Sequence, residues 1–521
     1  MRYVFGFLCV CALGCGAEPN EVWVALCEVT CERGFECFPE DGSVARCVSD
    51  CLGELGNESC DQNDAALDAC VEGIGALSCE DLELGRAPNS CTNICTGNDL
   101  CEDVTCFDDG DECTDDVCSP IDTTCSYPAS ADWISCASGA GTCFQGNCEA
   151  EFPCTEEGVR EAVAVPGGPH TFECDGPTTI ATQSEIVIDR SVILDGEGNL
   201  TLDAKDGHRV LQVRRNSVPT SSPVRAELRG MTITGGRAEG GGIAVGGGIW
   251  NRGTLTLTDC TVSRNRANLG TEPVETVGGG GIFGGSLTLV RSTVSENRTT
   301  GLGDADEEAG GGIYGSATLI DSTVSGNTTR GNGGGIFSLG TVVLINSTVS
   351  GNEAGGMGGG IEVRAELIMT NSTVSENTAN ESAGGVFADF GTLTLINSTI
   401  AGNSSVDATI RGGDWTVAGT LIEGDCSYVR MSSGDYNVES PGNTCGFNQE
   451  GDQTNVSTDD LKLEPLQDNG GPTETHALGA GSVAIDHIPA VDCQVTEDQR
   501  GVTRPQGDSC DVGAFELEVA P

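Results

Sequence analysis

Between Arg225 and Asn403 the chain alternates apolar and polar residues in short runs, TLTLTDCTV, TLVRSTV, LINSTV and MTNSTV among them. Strict alternation over such lengths is the signature of half-buried β-strands. Each run ends on a three-residue step: SRN at Asn265, SEN at Asn297, SGN at Asn327, SGN at Asn352, SEN at Asn377 and AGN at Asn403. A glycine cluster precedes an apolar residue in every copy, at Ile249, Ile282, Ile313, Ile336, Ile361 and Val386. One full copy reads GGGIFSLGTVVLINSTVSGN, residues 333–352.

The last three asparagine intervals are 25, 25 and 26 residues. A unit of that size with two or three short strands and no helix is one coil of a parallel β-helix; the LxxLxL spacing of leucine-rich repeats is missing. A single coil leaves its backbone N–H and C=O groups unpaired, and only the next coil, about 4.8 Å along the axis, satisfies them. Like residues then stack: Ile, Leu and Val fill the interior. Asn265, Asn297, Asn327, Asn352, Asn377 and Asn403 are expected to form an asparagine ladder at one turn, and the glycines to permit tight bends. The first two intervals, 32 and 30 residues, are lengthened by insertions between asparagine and glycine cluster. These should project from one side of the solenoid, carrying Asp304, Asp306, Glu307 and Glu308, and such variable corners are where binding surfaces lie.

Both ends of a solenoid need covering, because an open edge recruits other chains. Upstream, CTEEGVREAVAVPGGPHTFECDGPTTI suggests a short amphipathic helix and a strand that Cys154 and Cys174 can bridge. Downstream, Cys426 with Cys445 and Cys493 with Cys510 are the natural remaining pairs, leaving Cys260 inside a repeat where other copies have serine.

Composition narrows the class. Of 521 residues 76 are Gly and aromatics are 4%, which suits stacked tight turns better than a compact globule. The formal net charge of −54 makes nucleic acid an improbable partner, since phosphate binding needs a basic stripe. No cofactor is expected. Calcium is the one metal the composition suggests, through Asp108, Asp109, Asp111, Glu112, Asp115 and Asp116, but the EF-hand order is absent and turn-forming aspartates are the plainer reading.

The N-terminus, MRYVFGFLCVCALGCGAEPN, has one arginine, a short apolar run and a small residue before a cysteine: a secretory signal too short to span a membrane. Its end, ALGC, resembles the lipobox of bacterial lipoproteins, although Ala12 stands where leucine is usual. The resemblance implies lipidation at Cys15 and a membrane partner reached through that lipid; secretion after cleavage elsewhere is the other outcome. Of 28 cysteines, 18 lie between Cys27 and Cys148, a disulfide framework in an exported chain. From Cys27 to Cys95 the CxxxC gaps suit small stapled helices. From Cys101 to Cys148 the texture resembles an extracellular cysteine-rich repeat with a CxDxNxCTxDxC-like start, matched by Cys106, Asp108, Cys113, Thr114, Asp116 and Cys118. The expected organisation is therefore a signal peptide over 1–14, an anchor and linker over 15–24, disulfide modules over 25–97 and 98–150, a capped β-helix over 151–455 and a tail over 456–521.

That tail carries DNGGPT, THAL, GSVAID, DQRGVTRP and DVGAFE. It resembles the C-terminal signature of bacterial choice-of-anchor Q proteins, and the coils are similar to right-handed parallel β-helix surface proteins and to the repeats of polymorphic outer-membrane proteins. The resemblance implies an all-β, right-handed, single-stranded parallel β-helix at the cell surface, with no reaction attached. β-Helices also host polysaccharide lyases and glycoside hydrolases, which need converging carboxylates or a basic residue beside calcium. The repeats show no NTD, GHG or RIK motif, and the four histidines, His170, His208, His476 and His487, have no triad spacing. Glu362, Arg364 and Glu366 of IEVRAEL are expected to alternate outward on one solvated strand, one coil from Asp389. No catalytic residue is assigned. The expected role is structure, adhesion or recognition, with a polysaccharide or surface protein as ligand, and a polysaccharide-degrading enzyme is the alternative.

Overall fold

A computed structural model describes residues 117–118, 125–126, 135–136, 141–144, 147–214, 223–239, 243–268, 276–300, 308–388 and 391–518. The expected signal and Cys15, nearly all of the cysteine-rich region, and Asp304, Asp306, Glu307 and Asp389 lie outside those residues. Two compact units divide the chain, one of Met1–Asp109 with Thr114–Pro128 and one of Gly110–Cys113 with Ala129–Pro521. In the first, Val117–Cys118 pairs antiparallel with Cys125–Ser126. The second is a parallel β-helix.

Its sheet begins before the repeats. Gly141–Phe144 pairs antiparallel with Asn147–Pro153, which runs across position 150 and pairs parallel with Gly167–Glu173. Against that strand lies the helix Glu156–Ala162, started by Thr155, whose hydroxyl accepts from the Gly158 amide. A Cβ on Gly158 would sit 2.1 Å from the Pro153 carbonyl oxygen, so glycine is required for the helix to lie this close. Cys154 and Cys174 are disulfide-bonded across this cap.

Each coil then contributes to three long stacks of parallel strands. The first sheet runs from Ile186–Ile188 to Cys426–Ser427 through the residues that follow the glycine clusters. The second holds the longer alternating runs, such as Thr341–Ile345 on Glu366–Thr370. The third holds the TVS steps, such as Thr348–Ser350 on Thr373–Ser375. Beyond these expected strands, Arg237–Glu239 and the residues after the ladder asparagines from Asn265 to Asn377 form a short fourth sheet, which ends at Thr378–Ala379. The interior column takes one side chain from the first sheet, two from the second and one from the third. In one coil these are Ile336, Val342, Leu344 and Val349, all fully buried. Burial of such a side chain contributes about 1.5–3 kcal/mol, so each coil adds a core of its own rather than sharing one.

Corners are set by left-handed residues. Between the second and third sheets these are Asp259, Arg291, Asp321, Asn346, Asn371 and Asn397, with φ between 45° and 53°. Asn and Asp tolerate that region better than other residues with a Cβ, which accounts for most of the column. Among the glycine triplets, a Cβ on Gly334 would meet the Gly359 carbonyl at 2.3 Å and one on Gly335 would meet Asn352 Nδ2 at 2.9 Å. The triplet is thus the price of bringing successive coils and the asparagine column together.

The tail, with its own apolar cluster of Val456, Leu461, Leu478, Ile488, Val512 and Phe515, folds back along the side of the solenoid and packs on Leu421 and Val438. Cys426–Cys445 and Cys493–Cys510 are the disulfides at this end. No helix among the described residues is long and apolar enough to cross a membrane.

Candidate recognition surfaces of the solenoid

The most repeated polar residues point inward. Asn352 Oδ1 accepts from the Asn327 backbone amide and from Asn327 Nδ2, both at 2.9 Å, while Asn352 Nδ2 donates to Asn377 Oδ1 and to the Val324 carbonyl at 2.9 Å each. The same four bonds recur at Asn297, Asn327 and Asn377; Asn265 begins the column by accepting from Gly236, and Asn403 ends it. The ladder residues are buried apart from Asn403, which is half-buried. A second ladder, absent from the sequence reading, runs down the next corner. The amides of Cys260, Ser292, Ser322, Ser347 and Ser372 donate to the hydroxyls of Ser292, Ser322, Ser347, Ser372 and Ser398 in the following coil. Its signal was present in the sequence as a serine always two residues after the strand. Cys260 occupies the first rung, with Sγ against the Leu228 and Thr258 carbonyls, and burial pushes its thiol up to about 12.

The tail uses the third sheet as a seat. Thr348 Oγ1 donates to the Glu474 carbonyl, Thr373 Oγ1 to Gln499 Oε1, and the Ala514 amide donates to Thr399 Oγ1. Gln499 Nε2 further donates to the hydroxyls of Thr348 and Thr473. Accordingly Thr348, Thr373 and Thr399 are buried, whereas Thr293 and Thr323 in the same column are half-buried. Asn371 Nδ2 donates to the Glu497 carbonyl, so part of the NST triplet serves docking. Within the tail, Arg500 pairs with buried Asp498, and buried Arg504 lies 3.3 Å from Glu516. Asp511 accepts from the Asp486 and Leu517 amides, and burial raises its carboxyl to about 6.

The histidines are used structurally. His476 Nδ1 lies 2.7 Å from the Glu464 carbonyl, which can only accept, so Nδ1 carries the proton and Nε2 accepts from Ser375 Oγ at 2.7 Å. This is the relation of a nucleophile to its base, but Ser375 is fully buried beneath the tail, out of reach of a substrate. Burial holds His476 below the usual histidine range. His170, also lowered by burial, contacts the Val165 carbonyl; His208 contacts the Arg209 and Thr182 carbonyls, and His487 the Gly451 carbonyl.

The columns that point away from the core differ by sheet, and that of the first is exposed only in part: Phe337, Glu362 and Phe387 are buried. On the first, Trp250, Phe283, Tyr314, Phe337, Glu362 and Phe387 fall in one register column. Phe283 and Tyr314 stack at 4.6 Å, and Arg364 lies 5.3 Å over Phe337. Here the expectation of one solvated strand with Glu362, Arg364 and Glu366 alternating outward is corrected. The chain turns the corner after Val363, so Glu366 begins a strand of the second sheet. Glu362 is fully buried in the aromatic column with Arg364 Nε 3.1 Å away. Among the described residues no group of three or more His, Cys, Asp or Glu side chains is placed to hold a metal ion.

The fourth sheet, at the start of the variable corner, is different in charge. Arg237, Arg266 and Arg298 lie in register on successive coils, with Arg264 at the adjoining corner. Its first three strands, Arg237–Glu239, Arg266–Asn268 and Arg298–Thr300, carry three arginines against one carboxylate, Glu239, in a chain of −54.

These features define the class: a parallel β-helix with disulfide-stapled ends, whose repeated polar residues hold coils and tail together. No family model and no curated protein sequence matches the chain. Among solved structures it is similar to pectate lyase Pel9A, with a TM-score of 0.35 and 13% identity, over 68% of this chain and 90% of that one. A likeness at that level carries no chemistry from that protein to this chain.

Proposed function

We propose that the chain is an exported surface protein of the choice-of-anchor Q type, lipid-anchored through Cys15, whose β-helix recognises an extended polymer and does not cleave it. The observation that carries this reading is the division of polar groups. Those in repeated or catalytic-looking arrangements, the asparagine and serine ladders and the Ser375–His476 pair, are buried and satisfied inside the fold. What stays at least partly exposed includes in-register residues of the parallel sheets, Trp250, Phe283 and Tyr314 on the first and Arg266 with Arg298 on the fourth, suited to a periodic ligand. The three disulfides among the described residues support an oxidising, extracytoplasmic location, and the motifs of the tail read as the parts of a strap that seals the third sheet.

Two measurements test it. Detergent partitioning of cells expressing the wild type should place the protein in the lipid phase and Cys15→Ala in the aqueous phase; equal partitioning refutes the anchor. Purified protein incubated with a polysaccharide panel in the presence of calcium should release neither reducing ends nor unsaturated products. Turnover on any member establishes the enzyme instead.

A further inference from the structure

We infer that the fourth sheet of the first coils is a binding site for an acidic polysaccharide, lying along the solenoid axis over Arg237, Arg266 and Arg298. The inference rests on the recognition reading above and assigns its ligand class and location.

Three observations lead to it. First, the arginines are directly in register, Arg237 on Arg266 and Arg266 on Arg298. Like charges facing one another on adjacent strands are destabilising, and the fold does not require them: the same column continues as Thr328, Glu353 and Thr378. Second, the carboxylates among the described residues pair with only part of the row. Arg237 is paired with Glu239, and Arg266 lies 3.5 Å from Asp206. Exposed Arg298 and Arg264 have no salt bridge among the described residues. Third, the first three strands of this sheet carry three arginines against one carboxylate, Glu239, in a chain whose formal net charge is −54.

The spacing selects the ligand. Coils repeat at about 4.8 Å, so three successive arginines offer a cation at each step of a straight line. An extended chain of uronic acids, with one carboxylate per sugar, presents anions at a comparable repeat, and an arginine fork accepts a carboxylate in a bidentate manner. Single-stranded nucleic acid is a poorer fit, because its binding sites stack bases on aromatic side chains and the strands of this sheet carry none. Beyond a screening length of about 8 Å at physiological salt, the negative charge of the rest of the chain has little hold on a short ligand.

The test uses the purified full chain with EDTA present, so that calcium does not bridge anions. A labelled short oligogalacturonate is titrated at low and physiological salt, beside a neutral glucan oligomer and a single-stranded oligonucleotide of equal length. The expected result is binding of the oligogalacturonate that weakens as salt rises, no binding of the neutral oligomer, and at least a tenfold loss in the double variant Arg264→Gln/Arg298→Gln. Arg430→Gln, at a remote exposed arginine, should bind as the wild type does. Both variants should keep the wild-type melting temperature, because neither contributes to core or ladder; Arg298→Gln alone is the fallback should the double variant melt early. Unchanged affinity in the folded arginine variants overturns the inference, as does tighter binding of the oligonucleotide. Binding of the neutral glucan that ignores these substitutions overturns it while leaving the recognition reading intact, whereas cleavage of any oligomer overturns that reading itself.

Discussion

At the scale of single residues, polar side chains in this chain divide by where their bonds go. Cys260 stands on a rung that the following coils fill with the hydroxyls of Ser292, Ser322, Ser347, Ser372 and Ser398, and its thiol is raised to about 12 by burial. Cys260→Ser should therefore change stability by less than about 1 kcal/mol, and the native thiol should resist a thiol reagent at pH 8 while reacting fully in denaturant; rapid native labelling contradicts this. Asp511 offers a second check. Its folded carboxyl titrates near 6, above the ordinary 3.8, so the folded state binds a proton more tightly than the unfolded one. Stability should rise as pH falls through about 6 and level off towards the unfolded value, by about 1–3 kcal/mol. Burial lowers His476 and His170 and works the other way: their contribution is lost as pH falls below the ordinary histidine value. The Asp511 effect is therefore read as the difference between wild type and Asp511→Asn in urea unfolding across pH 5 to 8, and identical pH slopes in the two would refute it.

At the scale of elements, strands and their columns were legible because period and alternation survive in the text of the sequence. The inward Ile, Leu and Val, the Asn ladder and the glycine triplets follow directly from stacking like on like. The serine ladder was not read, because a serine two residues after a strand has the look of an ordinary turn until the coil above it is in place. Nor was the place of Glu362, because alternation predicts which side a residue faces only while the strand continues, and this one ends at Val363. The seat of the tail was invisible for a different reason: Thr348, Thr373 and Thr399 differ from Thr293 and Thr323 only through contacts 115 to 126 residues away in sequence. Gln499, which joins Thr348, Thr373 and Thr473, is the clearest lever on that seat. Gln499→Ala should leave the Thr373 hydroxyl without its acceptor and those of Thr348 and Thr473 without a donor, at a cost of about 2–3 kcal/mol, detach the tail to limited proteolysis and leave the solenoid intact; unchanged cleavage of the tail would show that the apolar cluster alone holds it.

At the scale of the molecule, the sequence specifies a solenoid more plainly than a function, and physics explains the difference. Stacking repeats its demands in every coil, so its signal is written many times. A binding surface needs only a few side chains on neighbouring coils, and in the text of the sequence Arg237, Arg266 and Arg298 are separated by intervals of 29 and 32 residues. Only the register of the fourth sheet brings them into line. The insertion corner was the expected place for function, and the cationic column lies at its threshold.

The central claim is that the repeated asparagines hold coils together and take no part in ligand chemistry. Hydrogen exchange on Asn352→Ala, paired with polysaccharide binding by the same variant, tests it most directly. Removing the amide takes the side-chain acceptor from the Asn327 N–H and one bond each from Asn327 Nδ2, the Val324 carbonyl and Asn377 Oδ1, while Asn327 Nδ2 keeps the Val294 carbonyl and Asn377 Oδ1 keeps the backbone amide of residue 352, at a cost of about 3 kcal/mol. The expected result is lost protection in the coils carrying Asn327 and Asn377, with binding retained. Unchanged protection together with abolished binding would contradict the claim and return the asparagine column to the list of functional residues.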